Sequence, residues 1–224
     1  MNWDNVATIT KSELHKADII LVDGPSGFAV AIEWGTWSPV SHAALCLGYD
    51  EVAESLDKGP TLSSKPNCGP KSNNLGEWLS QLTHALVLRY NDFDATAQDA
   101  VCKNAVDTVN LNTPYDKLKI AQLSQRTVAG TVLSGGTSRA GYWLQRRSWN
   151  KAAKWTDNTT VAPGYPEADD KAFICSEFVV RMYELAGYPI VDAACWVAPC
   201  DFIDLKDGKP YCPDSRLSVI GKLK

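Results

Sequence analysis

The sequence has no apolar run long enough to cross a bilayer. Its opening segment, MNWDNVATITKSELHKAD, has no apolar core of the kind a secretory signal carries. The expectation is a chain that is cytoplasmic as synthesised, or that leaves the cell by a route needing no cleaved signal. Positive charge is not in excess either: 22 Lys and Arg against 26 Asp and Glu give a formal net charge of -4. Neither nucleic acid nor an anionic membrane is therefore expected as a general partner. There is no internal repeat and no CxxC pair. Histidine is scarce, with three in all: His15, His42 and His84. The spacing of Cys195 and Cys200, with Cys212 beyond, comes nearest to a zinc set, but the histidines lie far from it in sequence, and no metal is expected. Seven cysteines, an odd number at irregular spacings, do not make a disulfide framework.

What is present is ordinary globular composition, 45% hydrophobic and 21% charged over 224 residues. That suits one domain over 1–224, with an insertion at about 130–170. ADIILVD (17 to 23) reads as a buried strand, and SHAALCLG (41 to 48) and EVAESL (51 to 56) as a hairpin closed by GYD. KGPTLSSKPNCGPKSNNLG is rich in Gly, Pro, Ser and Asn and reads as a long surface loop. EWLSQL suggests a short helix and HALVLRY a strand. From Asp94 to about Leu111 the pattern is helical, with Ala97, Val101, Ala105 and Val109 on one stripe, and Thr96 and Asp99 resembling a capping box. TPYDKLKIAQL (113 to 123) begins with Pro114, a favourable first helical position.

The insertion contains RAGYWLQRRSWNKAAKW, where Arg139, Arg146, Arg147, Lys151 and Lys154 interleave with Tyr142, Trp143, Trp149 and Trp155. A solvated amphipathic helix is the favoured reading. A lid, or a contact surface for an anionic polymer or a lipid headgroup over 139–155, is the sharper and less favoured one.

AFICSEFVVRMYELAGY places Cys175 at the start of a helical stripe formed by Phe178, Met182, Leu185 and Ala186 and stopped by Gly187 and Pro189. Unpaired N–H groups and the helix dipole favour a thiolate there, and the same N–H groups suit an oxyanion. A buried, inert thiol is the plain alternative, since most free cysteines are of that kind. His42 shares a strand face with Ala44 and Cys46, and Glu54 shares one with Val52 and Leu56. If GYD closes the hairpin as a three-residue turn, Ala44 lies opposite Glu54, and His42 and Glu54 become diagonal neighbours within reach of each other. A carboxylate at one imidazole nitrogen fixes the tautomer and supports the imidazolium. A core histidine satisfied by backbone and a solvent-facing strand acid are the alternatives for these two.

Taken in order, ADIILVD, SHAALCLGYDEVAESL, YDKL, FICSEFVVRMYELAG and WVAPCDFID resemble the circularly permuted NlpC-type papain-like cysteine hydrolases, in their YiiX-like branch, where the histidine strand precedes the nucleophile helix. The resemblance implies an α+β, papain-like NlpC-type fold, permuted, with an antiparallel sheet or half-barrel packed against the nucleophile helix. It puts the family's nucleophile on Cys175, its histidine on His42 and its third polar residue on Glu54. Tyr115 falls on a tyrosine that lines the family's site, and Pro199 and Asp201 on a late P-x-D segment. Ser41 and Ser176, beside the catalytic positions, join Tyr115 as expected substrate contacts. No cofactor is implied. The implied reaction is amide hydrolysis as an amidase or endopeptidase on peptidoglycan stem peptides. Delivery as an antibacterial effector into a target-cell periplasm, with an immunity or secretion-adaptor partner, is the preferred biological setting. Two alternatives stay open: a lipid-directed thiol hydrolase or acyltransferase, and a non-catalytic binding protein on the same scaffold.

Overall fold

The structure is a computed structural model and describes residues 3–23, 38–56, 69–111, 174–190 and 197–223. Its strands are β1 (Thr8–Ile9), β2 (Ile19–Val22), β3 (His42–Gly48), β4 (Glu51–Leu56), β5 (Gly69–Asn74), β6 (Ala85–Tyr90), β7 (Asp204–Lys206), β8 (Lys209–Tyr211) and β9 (Leu217–Leu223). The α-helices are α1 (Leu75–Leu79), α2 (Ala95–Asn110) and α3 (Cys175–Leu185). Among the described residues, seven strands form one sheet in the order β1-β9-β6-β2-β3-β4-β5, and β7 and β8 form a separate hairpin. Only β1 and β9 run parallel; every other pairing in the large sheet is antiparallel. This is a mixed α+β architecture with a mostly antiparallel sheet.

Period-2 alternation divides the strand residues between two cores. Ile19, Leu21, Ala43, Leu45, Ala53, Leu86 and Leu88 meet Val101 and Ala105 of α2 and Phe178, Val179 and Met182 of α3. Ile20, Val22, Ala44, Cys46, Val52 and Val87 form the other layer, closed over by Leu75 and Trp78 of α1. All the strand residues named here are at 0–1% exposure, so the central strands are buried on both sides and read in sequence as apolar runs.

The helices follow their sequence signals with small displacements. In α2, Ala97, Val101 and Ala105 are buried as expected. Its N-terminus is capped two residues before the expected box: Asp94 accepts the Ala97 N–H at 2.7 Å, and Asp99 pairs instead with Lys16 at 2.7 Å. In α3, Phe178 and Met182 are fully buried, while Leu185 is 51% exposed and falls off the stripe. Gly187, at φ 85, ends the helix as expected. Asn104 of α2 donates to the Met182 carbonyl and ties the two helices together.

The stretch read as a long surface loop is partly regular. Its residues 69–74 are β5, paired with β4 over six register positions, and α1 begins directly at Leu75, two residues ahead of EWLSQL. Gly, Pro and Asn conceal the strand because its stability comes from pairing with β4 rather than from side-chain propensity. The 113–123 helix and the 130–170 insertion lie outside the described residues.

Candidate active site

The β3–β4 hairpin fixes the first two residues of the site. Ala44 pairs with Glu54, as the sequence reading required, but by a different route. The turn is a two-residue one, with Tyr49 at φ 50 and Asp50 at φ 62, both in the left-handed region that such primed turns demand. A register shift between Cys46 and Gly48 then absorbs one extra residue. Without that bulge a two-residue turn would slip the register by one and send Glu54 to the opposite face of the sheet. With it, His42 Nε2 and Glu54 Oε2 lie 2.8 Å apart.

Glu54 is 1% exposed. A carboxylate so placed needs donors, and it has several besides His42. Asn73 Nδ2 donates to Oε1 at 2.6 Å, Trp78 Nε1 to Oε2 at 2.9 Å, and Lys71 Nζ stands 3.5 Å from Oε1. Burial works against the carboxylate. The hydrogen bond and charge of His42, then Lys71 and Trp78, outweigh it and hold the carboxyl below its ordinary value.

The third residue arrives from α3. Ile174 is extended at the N-cap and Cys175 is the first helical residue. Glu177, three positions beyond the cap, reaches back to accept the Ile174 N–H at 3.4 Å. The cap has no acceptor side chain of its own, so this one bond and the following helical turn set the entry of the chain. The Cys175 thiol is 3% exposed, and it is hydrogen-bonded to the His42 side chain and to the backbone N–H groups of Ala43 and Ser176. Burial pushes the thiol up, but the His42 charge and hydrogen bond and the two backbone donors prevail, and its pKa falls below 9.0. Burial likewise opposes the His42 imidazolium. Cys175 and Glu54 on either side overcome it and raise the imidazole from 6.5 to about 10. With Nε2 committed to Glu54, Nδ1 is the nitrogen left for the thiol. The arrangement is a continuous buried chain of thiol, imidazole and carboxyl side chains in which each shift favours the charged form.

Other described cysteines show what an unactivated thiol looks like in the same fold. Burial raises Cys46 and Cys102 to about 11 and Cys212 to about 12. Among the described residues, no imidazole contributes to these three shifts.

The remaining expected site residues divide. Ser41 is buried, and its backbone N–H donates to the Val22 carbonyl at the edge of the site. Ser176 is at 0% exposure with its hydroxyl donating to the Val197 carbonyl, so it meets Cys175 through its backbone N–H. Tyr115 lies outside the described residues, as does Cys195. Pro199 opens a short 3-10 turn, Pro199–Phe202, in which the buried Asp201 accepts the Ala198 N–H at 2.9 Å. Lys71, Asn73 and Trp78 escaped the sequence reading. The one available signal was the Lys71-x-Asn73 alternation ahead of a tryptophan, hidden inside a Gly/Pro/Asn-rich stretch. Among the described residues, no three His, Cys, Asp or Glu side chains converge as a metal ion would require.

No family model matches the chain. It is similar to the Escherichia coli (strain K12) protein named probable lipoprotein peptidase YaeF, with 25% identity over 223 residues, covering 98% of this chain and 74% of that protein. This likeness runs along nearly the whole chain. Among solved structures the chain is similar to an E. coli O157:H7 protein described as metalloprotein yiiX, DUF1105, with a TM-score of 0.44 and 18% identity. That match covers 77% of this chain and 66% of the other, a little under two thirds of its length.

Proposed function

We propose that the protein is a cysteine peptidase or amidase of papain-like, permuted NlpC type, with Cys175 as nucleophile, His42 as general base and acid, and Glu54 as the orienting carboxylate. The observation that carries this is the unbroken contact chain from Cys175 through His42 to Glu54, ending on a thiol at the first residue of a helix. The name of YaeF, probable lipoprotein peptidase, supports the same class of reaction.

In this reading the Cys175 thiolate attacks the carbonyl carbon of a peptide bond. The negative charge moves to the carbonyl oxygen, for which the Cys175 N–H, without an intrahelical acceptor, is a donor. The tetrahedral adduct collapses as His42 gives its proton to the leaving amine, and the C–N bond breaks to leave a thioester. His42, now neutral, takes a proton from water. The resulting hydroxide adds to the thioester carbonyl, and Cys175 departs as thiolate beside the restored imidazolium. Glu54 remains ionised throughout and stabilises the imidazolium it faces.

The substrate class we favour is the stem peptide of bacterial peptidoglycan, which the sequence resemblance implies. The test is a digest of purified peptidoglycan by wild-type protein and by Cys175→Ala, read by mass spectrometry of released fragments. New fragments from wild type alone are expected, and their masses name the bond. An intact substrate under conditions where Cys175 is reactive would overturn the peptidoglycan assignment and turn the search to acyl and lipid esters.

A further inference from the structure

Glu54 is surrounded more completely than an orienting carboxylate needs. One hydrogen bond to His42 would orient the ring, yet Asn73 and Trp78 spend their polar groups on the same carboxylate. Neither is required to hold its own element in place. The backbone ladder attaches β5 to β4 at six register positions, from Glu51↔Asn74 to Leu56↔Gly69. The body of Trp78 is buried among Leu75, Val52 and their neighbours, an attachment that does not depend on the indole N–H. Asn73 lies opposite Val52, diagonal to Glu54 on the same sheet face, and only its amide reaches the carboxylate.

We propose that Asn73 and Trp78 are positioning residues that hold the buried Glu54 carboxylate ionised and aimed at His42, and so set the pH at which Cys175 becomes a nucleophile. The inference rests on the peptidase reading for its biological meaning, but its physical content concerns the thiol alone. A buried carboxylate that accepts two or three N–H bonds stays ionised where an unsolvated one would take a proton. Loss of one donor leaves the negative charge of the site less stabilised, so the linked Glu54, His42 and Cys175 groups bind protons more tightly. The thiolate is then lost at higher pH as the solution is acidified. The charged groups that face Glu54 are His42 from β3 and Lys71 from β5; α3 contributes Cys175 through His42, and α1 contributes the neutral Trp78 while its acid, Glu77, is exposed.

The experiment is the rate of iodoacetamide alkylation at Cys175, followed by peptide mass spectrometry from acid to alkaline pH, for wild type, Trp78→Phe and Asn73→Asp. Trp78→Phe keeps the buried ring and deletes one N–H. Its acidic limb should move up by about half a pH unit, a fraction of what a hydrogen bond to a charged group is worth. Asn73→Asp replaces a donor 2.6 Å from Oε1 with a second carboxyl, and its limb should move up by roughly two units or more, as for two carboxylates sharing a site. Should Asn73→Asp fail to fold, Asn73→Ala takes its place, with a shift like that of Trp78→Phe. Limbs that coincide with wild type overturn the proposal, including the case where only the limiting rate or the thermal midpoint falls, because a purely structural role predicts that pattern. Shifted limbs in a protein that cleaves no peptide would uphold this inference and sink the peptidase reading. A wild-type thiol with no acidic limb below the ordinary thiol range would overturn both.

Discussion

Two carboxylates, Asp18 and Glu54, are each 1% exposed and lie toward opposite ends of the β2–β3 pairing. Asp18 precedes β2 at the end where Cys46 donates to its carbonyl; Glu54 faces the other end, where His42 pairs with Val22. Asp18 is closed off by permanent donors. Arg89 binds it through Nε at 2.8 Å and a terminal nitrogen at 2.7 Å, and the His15 N–H binds it at 2.8 Å. Arg89 also donates to the Glu13 carbonyl, which ties the N-terminal segment to β6. Glu54 is held by a histidine, which can gain and lose a proton and which touches a thiol. An arginine carries its charge at every accessible pH, so the Asp18 cluster can serve only as a fastener. A histidine between carboxylate and cysteine can hold a proton and pass it on. Burial is equal at the two ends; the titrating partner separates structure from chemistry.

The sharpest way to break this contrast is to remove the titrating partner. His42→Ala should lower peptide hydrolysis roughly a thousandfold or more, with the fold retained, as Cys175→Ala should. A His42→Ala protein with wild-type turnover would end the base assignment. Asp18→Asn should do the reverse. It leaves Arg89 partly uncompensated and should cost about 3 kcal/mol of stability by denaturant unfolding, with the Cys175 alkylation profile unchanged. A shifted profile would mean that the two ends of the sheet are coupled. Glu54→Gln should be intermediate. An amide can still orient the ring without stabilising its charge, so a fall in kcat of roughly ten- to a hundredfold is expected, short of the loss in Cys175→Ala. If the two variants are equally dead, Glu54 does more than orient.

The smallest effect is on stability against pH. The Glu54 carboxyl is held below its ordinary 4.5, so its contribution to folding is fully present above that pH and is lost as pH falls through the lowered value. His42 is raised from 6.5 to about 10, so its contribution is full below 6.5 and fades as pH climbs to about 10. Glu54→Gln should flatten the acid side of a thermal-midpoint profile by a few degrees or less. An unchanged acid side would contradict the ionised, buried carboxylate.

The three residues of the proposed catalytic triplet each carry a local signal in the sequence. Cys175 heads an amphipathic run, and His42 and Glu54 sit at matching parity on two strands separated by a turn. Their pairing was legible only as a register, and the register depended on the bulge between Cys46 and Gly48, which no residue pattern announces. Asn73 was illegible because β5 has the composition of a loop, and its strand character is conferred by β4; Trp78 falls in the short helix expected at EWLSQL, but nothing in the sequence brings its indole N–H to Glu54. Ser176 illustrates the opposite error. Adjacency to Cys175 suggested a substrate contact, but on a helix the next residue points about 100° away, and here its hydroxyl turns into the core toward Val197.

The central claim is that Cys175 is a thiolate where Cys46, Cys102 and Cys212 are thiols. The most direct measurement is competitive alkylation of the native wild-type protein at mildly acidic pH, with labelling quantified at Cys175, Cys102 and Cys212. The account predicts fast labelling of Cys175, while Cys102 and Cys212, raised to about 11 and about 12, remain unlabelled until the protein is unfolded. Labelling of Cys175 no faster than that of the other two would contradict it.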